Sequence, residues 1–426
     1  MKEILYFFVS LKRLMQFPFR AASRIIAIPK HMFETQVHKV TPSHFVLKKS
    51  QGEFAEQNAS TVITHPDDQA AIDRAVHYLK QGEAIGMPTE TVYGLAANAL
   101  CADAVAKIFA AKNRPQDNPL IVHVSSIDML KSILPNQHLP EVYLPVIRQH
   151  WPGPLTIVLP ASEKIPKSVT CGHPTVAVRF PSHPIARGLI EACGFPLAAP
   201  SANSSGKPSP TLASHVYHDL QGRIPLILDG GSCDVGVEST VLDGLRTPPA
   251  ILRPGGVTFE TLQQIEGMEK LQVYRKHFVD KDLEMAPTTP GMKYRHYSPE
   301  AMVILIEPKD KLSIDKFEAA WKGQLEEIQR SGVGISKVGI LRTAPEDVDS
   351  VVWETTSRLK GDIECISLQM GRQGHPEEIA RGMFKGLRDL DERTVDVIFV
   401  EGISELREGM AVMNRLRKAA TKIIDV

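Results

Sequence analysis

Apolar positions fall into two successive rhythms along this chain. In HPDDQAAIDRAVHYLKQGE, residues 65–83, Ala71, Ala75, Val76 and Leu79 recur at helical spacing behind the helix-opening run His65-Pro66-Asp67. A short strand AIGMP follows, then a hydroxyl-rich turn TETVYG leading towards the helix CADAVAKIFAAKN, which stops before Pro115. Further strands are predicted at PLIVHV, LTIVLP, TVAVRFP, PLAAP, PLILDGG and STVLDG, and helices at EVYLPVIRQHW, HPIARGLIEACG and TLASHVYHDLQG. This mixture predicts an α/β or α+β domain ending near ILRPGGVTFETLQQIEG.

A polar, proline-bearing stretch, KDLEMAPTTPGMKYRHYSPEA, separates the first rhythm from the second. Strand MVILIEP, helix IDKFEAAWKGQLEEIQRSG and strand KVGILRT come next. The chain then runs through ECISLQ, helix PEEIARGMFKGLRDLDE, strand VDVIFVEGI and a terminal helix GMAVMNRLRKAATKI. The alternation predicts a small parallel sheet with Rossmann-like winding. No G-x-G-x-x-G follows its first strand, so no dinucleotide site is expected there.

Length and composition fit this division. At 426 residues the chain exceeds what one core usually supports, and 43% hydrophobic with 23% charged residues is ordinary for a globular protein. Basic and acidic residues balance at 49 each, which argues for a small-molecule site over a broad nucleic-acid surface. The five cysteines, Cys101, Cys171, Cys193, Cys233 and Cys365, form no C-x-x-C pair and match no usual zinc spacing. No run is apolar enough for a membrane span. The first thirty residues carry six basic residues against the single acid Glu3, and read equally as a mitochondrial transit peptide and as a loosely docked extension. The expected compartment is the cytoplasm, with the mitochondrion a second destination under the transit-peptide reading.

Candidate chemistry gathers at the ends of strands. Thr89, Thr91 and Tyr93 follow the strand ending at Pro88, although helix capping accounts for one threonine. Lys112, Arg114 and Asn118 sit on a helix exit stiffened by Pro115 and Pro119, where arginine's planar fork suits phosphate; helix-end cations are the bland reading. His123 interrupts an apolar strand, as a satisfied core histidine also would. Arg179 lies within a strand and requires a counter-charge, from the protein or from a ligand.

SANSSGKPSPT, residues 201–211, has the composition of a linker but is flanked tightly by a strand and a helix. It is no Walker loop, because Ser201 stands where the first glycine belongs and Pro208 follows Lys207. Its hydroxyls, with Pro208 and Pro210 limiting the backbone, suggest a rigid anion cradle. Ser239 and Arg253 add polar groups from VGVESTVLDG and ILRPGG. Lys293, Tyr294, Arg295, His296 and Tyr297 crowd TPGMKYRHYSP, whose aromatic and cationic content suggests a covering flap.

In their order, PTETVYGL, KNRPQDNPLIVHV, WPGPLTIVLP, VAVRFP, APSANSSGKPSPT, VGVESTV, ILRPGG and TPGMKYRHYSP resemble the YrdC-like L-threonylcarbamoyladenylate synthases in their two-domain form. IFVEGI and AVMNRLRKAA resemble the eukaryotic version. The resemblance implies a twisted, mixed, open YrdC-like sheet with helices over residues 64–268, a linker and flap over 280–300, and a smaller Rossmann-like α/β domain over 301–426, after an extension at 1–58. It implies condensation of L-threonine, bicarbonate and ATP into threonylcarbamoyl-AMP and pyrophosphate, with a transferase then modifying tRNA beside the anticodon. By the same resemblance, threonine sits at Thr91, His123, Arg179, Ala199 and Ser239, and ATP at Arg114, Asn118, Thr175, Ser201, Ser209, Arg253 and Tyr297. Lys112, Arg114, Ser201 and Asn203 form the expected catalytic group. Magnesium is expected on the triphosphate with no ligands identified, and tRNA contact is expected to be weak at most. Two other classes stand beside this reading. Zero net charge counts against an RNA-binding module, and the lack of zinc-finger and acylphosphatase-like segments counts against a carbamoyl-phosphate enzyme of hydrogenase maturation.

Overall fold

The helix Pro66–Lys80 forms where the spacing predicts it. The ring of His65 caps it by accepting from the Asp67 amide at 3.3 Å, and Ala71, Ile72, Ala75 and Leu79 are its buried stripe. In the computed structural model, the described residues are 33–116, 118–274, 296–308, 314–348, 354–359 and 361–426. The basic segment before residue 33 and most of the predicted flap lie outside them.

The first domain is built on an eleven-stranded mixed sheet. In spatial order its strands are Gln36–Lys39, Leu226–Asp229, Ile85–Met87, Gly94–Asn98, Leu197–Ala198, Ile121–His123, Thr175–Arg179, Leu155–Pro160, Thr240–Asp243, Ala250–Arg253 and Gln272–Val273. Side chains alternate between its faces. Leu95 and Ala97 join one core with helix Ala102–Lys112, while Ala96 joins the other with helices Pro66–Lys80 and Pro184–Cys193.

The second domain carries a six-stranded sheet in the order Glu354–Leu359, Ile363–Arg372, Lys337–Ala344, Val397–Glu401, Met302–Glu307 and Lys422–Asp425. Its strands run parallel except the Glu354–Leu359 edge. Helix Ile314–Arg330 covers one face, and helices Pro376–Glu392 and Gly409–Ala419 cover the other. Mostly parallel strands with helices on both faces are what the second rhythm predicts, but Val397–Glu401 inserts between Met302–Glu307 and Lys337–Ala344, so the strand order departs from Rossmann-like winding.

Three expectations need correction. The extension assigned to residues 1–58 gives way from residue 33, because Gln36–Lys39 pairs in parallel with Leu226–Asp229 and Phe45–Lys48 forms a hairpin with Ser60–Ile63. TETVYG leads into strand Gly94–Asn98 rather than a helix: Thr89 Oγ1 accepts from the Thr91 and Val92 amides and folds the turn on itself. The terminal helix ends at Ala419, where Ala420 turns extended (φ −64°, ψ 136°), and Lys422–Asp425 becomes an edge strand beside Met302–Glu307. Pairing on an open sheet edge outweighs the local helical pattern there.

The domains meet closely. Gly236 has φ +77°, and a Cβ on it would stand 2.3 Å from Arg381 Cα on helix Pro376–Glu392, so only glycine allows this approach.

Candidate active site

Strand order brings several strands to one edge of the first sheet. His123 and Arg179 are register partners at the carboxyl ends of parallel strands, and Thr156 faces Arg179 across an antiparallel pair. Ser239 stands at the start of Thr240–Asp243, and Arg253 at the end of the antiparallel neighbour Ala250–Arg253. His123, Arg179, Ala199, Ser201, Ser239, Arg253, Arg114 and Tyr297 therefore line one cavity, although they span nearly two hundred positions of sequence. Open α/β sheets bind ligands at such an edge.

Arg179 is the centre of the inner wall. Its Nη1 donates to Thr91 Oγ1 at 2.7 Å, and its Nη2 lies 2.7 Å from Glu90 Oε1. The Ser182 amide also donates to Glu90 Oε1, at 3.1 Å. Buried Arg179 Nε has no hydrogen-bond partner among the described residues, whereas Nη2 is engaged by Glu90. The counter-charge question thus has a protein answer, Glu90, which leaves donor capacity for a second anion. Beside it, His123 is held through Nδ1 by the Ile121 carbonyl at 3.2 Å. Burial and the Arg179 charge push its pKa down to about 3, so the ring is neutral. Ser239 Oγ bonds Thr156 Oγ1 at 2.7 Å, and Arg253 Nη2 donates to the Ser239 carbonyl at 2.9 Å. A Cβ on Gly255 would stand 2.3 Å from the Glu238 carbonyl, so the turn after Arg253 can close on this wall only with glycine.

The 201–211 segment is pinned rather than slack. Ala202 N donates to the Tyr93 carbonyl and Tyr93 N to the Pro210 carbonyl, both at 2.8 Å. Ser201 Oγ donates to Asn203 Oδ1 at 2.5 Å, and Asn203 Nδ2 reaches the carbonyls of Ser204 and Lys207, each at 2.9 Å. Buried Lys112 donates to the carbonyls of Ser201 and Asn203. Burial, followed by the nearby Arg114 charge, lowers its pKa well below the usual lysine range. In this geometry Lys112 and Asn203 brace the loop, and Ser201 faces the cavity. Lys207, the residue that invites comparison with a phosphate loop, turns away to Glu300 at 2.9 Å and Asp391 at 3.3 Å.

Other predicted residues stand outside the cavity wall. Asn118 is one, its carbonyl accepting from Nη2 of the wall residue Arg114 at 3.0 Å. Thr175 begins the strand that Arg179 ends, about 13 Å away at the usual strand rise. The parallel register Ile121↔Ala177 sets Thr175 beside the Asn118–Pro119 turn, so these two belong together at the far end. Ser209 reaches the site through Glu238, donating to Oε1 at 2.6 Å. Of the predicted flap, residues 296–300 are described, and His296 and Tyr297 line the cavity. Tyr297 has φ +68° and rests its ring 5.3 Å from Phe384 of the second domain.

Sequence reasoning missed Glu90, Glu238, His296 as a wall residue, and Arg415. Glu90 and Glu238 both stood inside quoted segments, TETVYG and VGVESTV, where the hydroxyls alone drew attention. An acid buried between hydroxyls at a strand end was the available signal. Burial alone would raise the Glu238 pKa, but the Arg415 and Arg253 charges overcome it and hold the carboxyl at about 2.

Comparison with known proteins identifies the family. The family model described as telomere recombination matches residues 77–255, and the one described as threonylcarbamoyl-AMP synthase, C-terminal domain, matches 257–421. A threonylcarbamoyl-AMP synthase of Schizosaccharomyces pombe is 42% identical over 420 residues, covering 92% of this chain and 99% of its own. One from Pyrococcus abyssi is 45% identical over 351 residues, covering 81% and 93%. The crystal structure of P. abyssi Sua5 complexed with L-threonine superposes with a TM-score of 0.73 at 39% identity, covering 92% of this chain and 99% of that one. The chain belongs to the two-domain threonylcarbamoyl-AMP synthase family.

Proposed function

We propose that this protein condenses L-threonine, bicarbonate and ATP into threonylcarbamoyl-AMP, the first step of threonylcarbamoyl-adenosine formation in tRNA. The observation that carries the reading is the convergence of Arg114, Arg179, Ser201 and Arg253 on one cavity that also contains a neutral histidine.

Arg179 offers its unfilled Nε donor to the threonine carboxylate, with His123, Ala199 and Ser239 around the rest of the amino acid and Thr91 bracing Arg179 through Nη1. The positive charge of Arg179 disfavours protonation of the threonine amine, which must be neutral to attack the carbon of carbon dioxide or bicarbonate. That attack forms the N–C bond of a carbamate, with water lost when bicarbonate is the source and the amine proton released to solvent when carbon dioxide is. A carbamate oxygen then bonds to the α-phosphorus as the bond to pyrophosphate breaks. Arg114, Arg253 and the hydroxyl of Ser201 face the charge that develops there. Asn118 and Thr175 take the nucleotide's far end, and Ser209 and Tyr297 flank it. Lys112 and Asn203 act by fixing the loop.

Magnesium would be carried on the phosphates of the nucleotide and would neutralise part of their charge. Both oxygens of Glu238 are engaged, by Ser209 and Arg415, and Glu90 Oε1 is held by Arg179 and Ser182, which leaves Glu90 Oε2 as a single open oxygen and no cage of carboxylates. An ion carried on the phosphates with its own waters is compatible with that wall. The product passes to a tRNA threonylcarbamoyl transferase, which needs little tRNA contact from a chain of zero formal net charge. Among the described residues no helix is long and apolar enough to cross a membrane, and a cytoplasmic enzyme, with a mitochondrial pool if residues 1–30 direct import, is the compartment reading.

A product assay tests the proposal, with threonine, bicarbonate and ATP omitted one at a time. Each omission should abolish threonylcarbamoyl-AMP and pyrophosphate release, and undiminished turnover without threonine would reject the assignment.

A further inference from the structure

Two arginines of the second domain reach the loop that the reading above gives to ATP. Arg388, on helix Pro376–Glu392, donates through Nε to the Pro208 carbonyl at 3.1 Å and through Nη2 to Asp219 Oδ2 at 2.8 Å. Asp219 Oδ2 in turn accepts from the Ser204 amide at 3.0 Å. Arg415, on helix Gly409–Ala419, donates through Nε to Glu238 Oε2 at 3.0 Å, and also to the Pro254 carbonyl. The other oxygen of Glu238 takes the Ser209 hydroxyl at 2.6 Å. The stretch Ser204–Ser209 is thus fastened at both ends from the neighbouring domain.

Domain docking alone does not call for this arrangement. Val92 and Val237 already pack into the apolar core of the second domain, and Gly236 already lies against its helix. Arg388 is 5% exposed and Arg415 fully buried. Buried guanidinium–carboxylate pairs stabilise a fold little more than apolar groups of the same volume, so mere adhesion would be served as well by leucine or methionine. What arginine adds is direction: a planar fork sets a carbonyl and a carboxylate at defined positions.

The geometry points to Arg388 and Arg415 as positioning residues for ATP, so that the second domain completes the nucleotide site by shaping the Ser204–Ser209 loop and the Glu238 carboxylate. The inference rests on the ATP reading of that loop, and it assigns the second domain a part in the reaction beyond carrying the linker.

The test uses the full-length protein. Arg388→Gln should raise the KM for ATP about tenfold or more, while the Kd for L-threonine stays within about twofold. Amide hydrogen exchange should quicken at residues 204–209 and stay unchanged in helix Pro66–Lys80. Arg388→Lys keeps the charge without the fork and should recover only part of the loss. Arg415→Lys should weaken ATP selectively in the same way; if it does not fold, Glu238→Gln weakens that contact from the opposite side and should show the same selectivity. Wild-type ATP dependence and loop protection in Arg388→Gln, or equal losses for threonine and ATP, would overturn the inference. Failure of the wild-type protein to make threonylcarbamoyl-AMP would overturn the reaction assignment instead, and the exchange measurement would still decide what holds the loop.

Discussion

Arg179 and Glu90 meet at 2.7 Å in the inner wall of the cleft, both nearly inaccessible to solvent. The pair lets a cation sit inside a strand of the first sheet before any ligand arrives. It also sets the cost of disturbing that cation, because an unpaired carboxylate would remain behind.

Replacing Arg179 with alanine should therefore act in two ways. Threonine affinity should fall by about 2–5 kcal/mol, roughly thirtyfold or more, from loss of the carboxylate's charged partner. Stability should fall by about 3–5 kcal/mol through the stranded Glu90. Titration calorimetry with threonine and with an ATP analogue reads the first effect, and urea unfolding reads the second. Equal weakening of both ligands would show that Arg179 serves the fold alone.

Lys112→Met keeps the aliphatic stem and deletes the donors that hold the carbonyls of Ser201 and Asn203. The expected result is a loss of about 1–3 kcal/mol in denaturant stability and a fall in kcat on the order of a hundredfold, since small displacements of a positioned group carry costs of that size. Urea unfolding and steady-state kinetics on one preparation measure both.

Tyr297 takes a left-handed backbone conformation and packs against Phe384 and Arg415. Tyr297→Ala should lower turnover at least about tenfold while the first domain stays folded, and Tyr297→Phe should retain the packing and isolate the hydroxyl's part. A chain cut before Pro287 should be impaired likewise. Wild-type rates in Tyr297→Ala or in the truncated chain would remove the covering role assigned to the KYRHYSP segment.

The pH dependence of stability has a definite sign. His123 has its folded pKa pushed down from 6.5 to about 3 by burial and by Arg179, so the unfolded chain binds more protons between those values. Stability contributed by the neutral ring is fully present above about pH 6.5 and is lost as the pH falls towards 3, at up to ~1.4 kcal/mol per pH unit. Glu238, held at about 2 against an ordinary value of 4.5, removes stability in the same direction in the lower window from 4.5 to 2. Urea melts between pH 7 and 4 should steepen with acid, and His123→Gln should flatten that slope. An unchanged slope in the variant would show that the ring is not held neutral by its surroundings.

Local pattern carried much of this protein. Helices Pro66–Lys80 and Pro376–Glu392 and the alternation of the second domain follow from the period of apolar residues, which nearest neighbours determine. The motif segments named Arg114, His123, Arg179, Ser201, Ser239, Arg253 and Tyr297, which line the cleft, because each motif is a few consecutive residues around one turn. At Lys422–Asp425 sheet pairing prevailed over the local helical pattern, and at Gln36–Lys39, placed by the sequence in an extension, pairing with a distant strand decided the outcome.

Partner choice belonged to the tertiary structure alone. Glu90 lies 89 positions from Arg179, and Glu238 lies 177 from Arg415; no periodicity spans such distances. Strand order, crossovers and the docking of two domains bring these charges together, and burial makes their pairing obligatory. The residue types of the site could be read from the chain, whereas which charge answers which is a consequence of long-range packing.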